Sequence, residues 1–282
     1  MTNAIEVENL KKSFPQFQLK DVSFQLPAGT IMGFVGENGA GKTTTIKCLL
    51  NLLKKERGEI KIFGLDHTKH ETSIKQNIGV VFDDLYIPDT LHATHINNIL
   101  EKIYDRWDES YYVELLKRFK IPFKKPIKQL SRGMKMKLSI AMALSHHPKL
   151  LILDEPTSGL DPIVRDEILD LFMEFMQNEE NSILFSTHIT SDLEKIADYI
   201  TFIHDGEIVF SKNKDELLYD YGIWKGTMEQ SMELPEHAKV RMRKNAFGVE
   251  VLVNRKEVNS AFSIDKPSIE EIMLFFVKGV RP

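Results

Sequence analysis

Three things are scarce in this 282-residue sequence: cysteine, long apolar runs and an excess of charge of either sign. The single cysteine, Cys48, excludes an intramolecular disulfide framework and fits a reducing compartment. No stretch approaches the roughly 18 to 20 apolar residues of a membrane-spanning helix, and residues 1–12 lack the apolar segment of a signal peptide. We therefore expect a soluble protein that would need a separate membrane-spanning partner in order to act at a membrane.

The charges are nearly balanced, with 41 acidic and 37 basic side chains and a formal net charge of -4. A general nucleic-acid binder would show a basic excess, so no nucleic-acid partner is expected. Hydrophobic residues make up 42% of the chain, which is a globular composition long enough for one large or two modest domains.

Apolar runs of strand length alternate with helical patterns through about the first 210 residues. The runs at 30–35, 150–153 and 182–186 have the apolar character of buried parallel strands. Short alternating strands precede them, and a mostly helical stretch occupies about 85–148. This order predicts an α/β fold with a mostly parallel sheet and a helical insertion.

The composition changes after about Ser211, where the chain becomes polar and rich in methionine. One clear strand is predicted at 249–253, followed by a helix with Ile269, Ile272, Met273 and Phe276 on its apolar face. Ser268 and Glu271 form the capping-box pattern at the start of that helix, and Gly279 ends it. We predict two domains, 1–210 and 211–282, the second a small α+β unit.

A glycine-rich stretch after the first apolar strand matches the phosphate-loop pattern G-x-x-x-x-G-K-[ST]. Its glycines let backbone N–H groups approach phosphate oxygens, the following helix directs its positive end at the anion, and the lysine and threonine provide a cation and a Mg²⁺ ligand. A chance glycine turn is the alternative, but the position between a predicted strand and helix favours phosphate binding. The predicted ATP-binding residues here are Gly36, Asn38, Gly39, Ala40, Gly41, Lys42, Thr43 and Thr44.

The apolar run at 150–153 ends in two carboxylates, Asp154 and Glu155. Because carboxyl ends of parallel strands share one sheet edge with the phosphate loop, both acids are expected near the terminal phosphate. Adjacent strand residues point to opposite sides, so Asp154 can hold Mg²⁺ while Glu155 polarises the attacking water. A surface loop with two acids is disfavoured by the buried strand. His188, at the end of the next strand, is predicted to contact the phosphate and orient Glu155.

The segment Leu130-Ser131-Arg132-Gly133-Met134 resembles the LSGGQ signature of ABC (ATP-binding cassette) ATPases. Other motifs follow in the family's order across residues 1 to about 210. Ser158-Gly159-Leu160-Asp161 resembles the D-loop, Thr187-His188 resembles the H-switch, and Phe14 lies where the family stacks an aromatic ring on adenine.

The resemblance implies the P-loop NTPase fold of ABC ATPases, with a RecA-like parallel core and an antiparallel β subdomain. It implies ATP hydrolysis and a head-to-tail dimer, homomeric or heteromeric, in which each ATP lies between one phosphate loop and the other copy's signature. Ser131, Arg132, Gly133 and Met134 are then the signature residues next to the partner's ATP.

Two positions depart from the family pattern. The signature reads Ser-Arg-Gly-Met rather than Ser-Gly-Gly-Gln, so the Arg132 side chain must point away from the nucleotide or add a charge to it. Asp83 occupies the Q-loop position, where an aspartate can still be a Mg²⁺ ligand.

Within this family the chain resembles the ATPases of bacterial ABC-2-type exporters, on the basis of residues 104–108, 130–135 and 267–270. This implies a separate ABC-2-type permease, docked near residues 83–88, and a location at the cytoplasmic face of the cell membrane.

Other functions fit the sequence less well than ATP-driven transport. A non-transport ABC ATPase acting on ribosomes or DNA would normally carry two cassettes or a long coiled coil, and this chain has one cassette and no heptad run. An ATP sensor without hydrolysis is disfavoured by the intact Glu155 and His188. The pairs His67/His70 and His92/His95 have helical spacing but no third ligand, so a zinc site is not expected.

Overall fold

The computed structural model describes residues 2–281. Its strands are β1 (Asn3–Phe14), β2 (Phe17–Pro27), β3 (Ile31–Val35), β4 (Arg57–Ile62), β5 (Leu65–Asp66), β6 (Ile78–Val81), β7 (Leu150–Asp154), β8 (Ser182–Thr187), β9 (Tyr199–His204), β10 (Glu207–Asn213), β11 (Tyr221–Gly226), β12 (Lys239–Asn245) and β13 (Gly248–Asn254). Its α-helices are α1 (Lys42–Leu49), α2 (Glu71–Lys75), α3 (Ala93–Leu100), α4 (Glu109–Arg118), α5 (Arg132–Leu144), α6 (Pro162–Phe175), α7 (Thr190–Ile196), α8 (Lys214–Asp220), α9 (Met228–Ser231) and α10 (Ile269–Lys278).

The central sheet has six strands in the order β10-β9-β3-β8-β7-β6. Its strands pair in parallel except for the edge strand β10, which forms an antiparallel hairpin with β9 around Asp205-Gly206. Every residue of β3, β7 and β8 is buried, which explains why these strands lack polar alternation in the sequence. The predicted mostly parallel core is confirmed.

A second, antiparallel sheet has the order β2-β1-β4-β5. Its inward-facing residues and those of α1 pack on one face of the central sheet, where the Phe24 and Phe34 rings lie 5.3 Å apart. Cys48 is buried in this cluster as a small apolar side chain. The helix after the phosphate loop ends at Leu49, and Asn51 just beyond it takes a left-handed conformation with φ of 55°.

The predicted helical insertion contains α3, α4 and α5, and residues of all three helices belong to the larger core cluster with β7 and β8. Just beyond the C-terminus of α5, His146 joins the insertion to β6. Its Nε2 lies 3.0 Å from the carbonyl oxygen of Ile78, and its ring stacks on Tyr104 with centroids 3.9 Å apart. Since a carbonyl only accepts, Nε2 is the donor.

The C-terminal region holds a three-stranded antiparallel sheet, β11-β13-β12, where one strand was predicted. The prediction found the central strand and missed its neighbours, because glycine and charged residues interrupt the apolar alternation of β11 and β12. The predicted capping box of α10 is confirmed at Ser268 and Glu271. Its fully buried residues are Ile269, Ile272 and Phe275, whereas Met273 and Phe276, both predicted for the apolar face, are partly buried.

Helix α10 packs on the same core cluster as α7, and Glu194 of α7 accepts a hydrogen bond from the backbone N–H of Ile269 at 3.0 Å. The C-terminal helix therefore lies against the helix that follows His188. Within residues 2–281, no helix is both long and apolar enough to cross a membrane.

Candidate functional site

The phosphate loop joins β3 to α1 and depends on its glycines. A β-carbon at Gly36 would lie 2.4 Å from the carbonyl oxygen of Ile203, so no larger residue fits without displacing β9. Gly41 precedes α1 with φ of 115°, a left-handed value that disfavours side chains. The loop leads directly into α1, so the positive end of that helix faces it.

Lys42 is buried and its side chain folds back over the loop. Its ammonium donates to the carbonyl oxygens of Gly36 at 2.7 Å and Glu37 at 3.3 Å, and lies 3.3 Å from Oε1 of Glu155. An anion bound in the loop would therefore share this ammonium with the Glu155 carboxylate.

Asp154 lies at the end of β7 beside the phosphate loop. Its carboxylate accepts hydrogen bonds from Thr43 Oγ1 at 2.7 Å and from Ser186 Oγ at 3.0 Å. Burial raises the pKa of Asp154, while these two hydroxyls oppose the shift. Two of the three predicted Mg²⁺ ligands, Thr43 and Asp154, are thus in direct contact.

Glu155 and His188 meet above the ends of β7 and β8. His188 Nδ1 lies 2.7 Å from Glu155 Oε2, so the ring donates to the carboxylate through this nitrogen. The other carboxylate oxygen, Oε1, is buried without a hydrogen bond, since its contact with Lys42 is ionic only. Glu155 has φ of 54°, so it leaves the strand in a strained conformation of the kind that gathers at functional sites.

The aromatic residue predicted to stack on adenine belongs to β1 and lies outside the phosphate loop. Phe14 is 41% exposed at the end of β1, with the Lys12 ammonium 5.5 Å from its ring centroid. Phe17, which was not predicted, lies nearer the loop, because a β-carbon at Gly41 would be 2.9 Å from its ring.

The signature begins α5. Ser131 caps this helix, with Oγ accepting from the N–H of Met134 at 3.3 Å, and Gly133 faces Val164 of α6. The Arg132 guanidinium lies over the D-loop of the same chain, 2.8 Å from where a β-carbon on Gly159 would be. Among residues 2–281, no hydrogen bond or ion pair links the signature to the phosphate loop.

Two further predicted elements have clear positions. In the D-loop, Ser158 N–H donates to the Glu155 carbonyl at 3.2 Å, Leu160 packs on the core, and Asp161 caps α6 by accepting from Val164 N–H at 3.0 Å. Asp83 is exposed and lines a groove of about 390 Å³ with Asp84, Arg132 and Lys135.

Sequence reasoning assigned no role to four residues at this edge. Ser186 pairs in register with Asp154 across β7 and β8, a relation that the predicted parallel order would have revealed. Asp192, Thr157 and the partly buried Arg165 form a polar cluster on the segments that follow Glu155 and His188, and no motif pointed to it. The part of the chain that the structure describes has no group of three or more metal-binding side chains of His, Cys, Asp or Glu.

A glycine loop between a strand and a helix, with an Asp-Glu pair at the end of a parallel strand, defines a P-loop nucleotide triphosphatase. The ABC transporter family model matches residues 19–158. The chain belongs to the ATP-binding proteins of ABC transporters, a family that binds and hydrolyses ATP to power transport.

Relatives agree along most of the chain. The ABC transporter ATP-binding protein YtrB of Bacillus subtilis is 34% identical over 77% of this chain and 74% of its own length. The lantibiotic transport ATP-binding protein SrtF of Streptococcus pyogenes is 36% identical over 75% of this chain and 91% of its own. The bacitracin transport ATP-binding protein BcrA of Bacillus licheniformis is 35% identical over 78% and 72%.

Solved structures show the same fold. An ATP-binding subunit of an ABC transporter superposes with a TM-score of 0.69 and 27% identity over 76% of this chain and 91% of that one. A dimeric ATP-binding cassette with ADP and Pi bound has a TM-score of 0.65 over 74% and 98%, and at 22% identity it supports the fold alone.

Proposed function

We propose that this ATPase drives an exporter, paired with a separate ABC-2-type permease at the cytoplasmic face of a bacterial membrane. Similarity to proteins named for lantibiotic and bacitracin transport supports the transport role over action on ribosomes or DNA. The resemblance of residues 104–108 and 267–270 to ABC-2-type exporter ATPases supports the permease class.

The contact that carries the catalytic part of the proposal is the 2.7 Å distance between Glu155 Oε2 and His188 Nδ1. Glu155 acts as general base on the attacking water, and His188 fixes its orientation and contacts the terminal phosphate. Lys42 and the loop N–H groups bind the phosphates. When phosphate draws Lys42 away, the buried Oε1 of Glu155 loses its ionic partner and becomes a better acceptor for the water proton.

Thr43 and Asp154 fit a Mg²⁺ ion, because a hydroxyl and a buried carboxylate 2.7 Å apart offer the oxygen ligands that this cation prefers. Asp83 is the third proposed ligand. The ion supplies charge neutralisation at the phosphates.

Two copies, identical or different, are proposed to pair head to tail around two ATP molecules. In this dimer Phe14 stacks on adenine, and Ser131 to Met134 of one copy and the start of α5 face the ATP of the other. The D-loop, residues 158–161, lies at the same junction. The permease docks in the groove beside Asp83 and Arg132, which has acidic and basic walls. Residues 211–282 are proposed as an accessory domain that adds a second dimer contact.

The test uses Glu155→Gln in the full chain, with Lys42→Ala as control. Glu155→Gln should lose ATP turnover while it retains ATP binding and forms an ATP-dependent dimer, which size-exclusion chromatography with light scattering would detect. Lys42→Ala should lose ATP binding as well. Turnover by Glu155→Gln near the wild-type rate would show that Glu155 is not the base.

A second experiment tests the proposed permease partner. Tagged Glu155→Gln should co-purify a polytopic membrane protein from gently solubilised cells. Recovery of ribosomes or DNA factors instead would contradict the transport function.

A further inference from the structure

Asp192, in the first turn of α7, is a buried carboxylate that binds two other segments of the site. It is 1% exposed. Its Oδ2 accepts from Thr157 Oγ1 at 2.7 Å, and its Oδ1 accepts from the guanidinium of Arg165. The same guanidinium donates to Ser191 Oγ at 2.7 Å. One carboxylate thus has partners on both of its oxygens.

These partners lie just beyond the catalytic residues along the chain. Thr157 is two residues after Glu155, Arg165 follows the D-loop in the first turns of α6, and Asp192 is four residues after His188. The carboxylate therefore joins the chain that leaves β7 to the chain that leaves β8.

The sheet alone does not fix the contact between Glu155 and His188. The ladder between β7 and β8 ends at the pair Asp154 and Ser186, and Glu155 N–H then donates to the Ser186 carbonyl at 2.9 Å. Beyond that point the two chains diverge into α6 and α7. Apart from the contact of His188 with Glu155 itself, the next link between them is the cluster of Thr157, Arg165 and Asp192, in which the bond between Thr157 and Asp192 is buried.

Holding α6 and α7 together does not require a buried charge. An exposed ion pair, Lys195 with Asp166, already links the same two helices at the surface. A buried carboxylate is costly unless it is fully paired, so a pair of this kind is weak evidence for a gain in stability. Asp192 differs from the surface ion pair in its position. It follows His188 by four residues and binds Thr157, which follows Glu155 by two.

We propose that Asp192 is a positioning residue for ATP hydrolysis, which holds His188 against Glu155 through its bonds to Thr157 and Arg165. The inference depends on the proposed roles of Glu155 and His188. A displacement of about 1 Å at a catalytic group can lower a rate by roughly 100-fold, so loss of this link should lower kcat without weakening ATP binding.

The test measures kcat, the KM for ATP and the melting temperature of Asp192→Ala in the full chain. The expected result is a kcat lower by roughly 10- to 100-fold with a KM within about twofold of wild type. Lys195→Met is the matched control, since it removes the exposed ion pairs with Asp166 and Asp170 that link the same helices, and it should leave kcat unchanged. A wild-type kcat in Asp192→Ala would overturn the proposal.

The double variant Asp192→Ala/Arg165→Met separates positioning from stability, because it also removes the stranded cation. Its melting temperature should recover relative to Asp192→Ala while kcat stays low. Recovery of kcat together with stability would reduce Asp192 to a structural role. Glu155→Gln in the same assay identifies which idea fails: an active Glu155→Gln refutes the proposed function, whereas an inactive Glu155→Gln beside an active Asp192→Ala refutes only this inference.

Discussion

Acid should weaken the attachment of the helical insertion through one histidine, His146. Its side chain is 1% exposed, donates to the Ile78 carbonyl, and stacks on Tyr104. Burial lowers the pKa of His146 to about 4. An unfolded chain would bind a proton at this residue near pH 6.5, so between about pH 6.5 and 4 the unfolded state holds a proton that the folded state lacks.

Acidification should therefore destabilise the folded state. Because the unfolded state binds more protons in this window, stability is complete above about pH 6.5 and falls as the pH drops towards 4. A difference of about 2.5 pKa units corresponds to roughly 3 kcal/mol at the acid end, a large part of the total stability of a domain. Protonation leaves the Nε2 donor on the Ile78 carbonyl but places a charge in the buried contact between the insertion and β6, so the loss should begin in the insertion.

The assay is urea unfolding at several pH values, followed by circular dichroism, for wild type and His146→Gln. The glutamine retains an N–H donor for the Ile78 carbonyl but does not titrate, so it should be less stable than wild type near neutral pH and lose less stability on acidification. The two curves should converge by about 1.4 kcal/mol per pH unit within the window. Parallel curves would refute the reasoning, because other titrating groups would then account for the whole acid dependence.

Two further outcomes are expected. Thr43→Val keeps the side-chain volume but removes the hydroxyl that donates to Asp154. Isothermal calorimetry should show ATP binding with Mg²⁺ weakened by roughly 10- to 100-fold and binding in EDTA changed much less. Equal losses in both conditions would argue against Thr43 as a metal ligand. Ser268→Ala should lower the free energy of unfolding in urea by about 1 kcal/mol, because the α10 capping box is lost. Ser260→Ala, outside any helix, is the control. An unchanged stability of Ser268→Ala would mean that α10 does not unfold with the core.

The elements nearest the phosphate site were the easiest to predict from sequence. The strands β3, β7 and β8 are largely apolar because they are buried on both faces, and each is followed by residues whose chemistry is specific, such as Lys42 or Glu155. Local sequence therefore indicated both the element and the candidate site residues that follow it. The capping box of α10 was predictable for the same reason, since Ser268 and Glu271 lie three residues apart.

The features that sequence did not reveal depend on distant parts of the chain. Asp192 and Thr157 are 35 residues apart, and a threonine or an aspartate alone carries no signal of such a bond. The edge strands β11 and β12 carry charged residues and lack a clear apolar alternation. Only their pairing with β13 identifies them as strands. The position of Arg132 over Gly159 likewise needed the packing of α5 beside the D-loop.

The contact between α7 and α10 has a consequence for the order of events during synthesis. Glu194 and the N–H of Ile269 are 75 residues apart in sequence, yet one helix covers a flank of the other. At translation rates of about 5 to 20 residues per second, α10 emerges roughly 4 to 15 s after α7. During that interval the apolar flank that Ile269, Ile272 and Phe275 will cover is exposed on the nascent chain. The helix after His188 would thus reach its final surroundings only after α10 has emerged and packed against it.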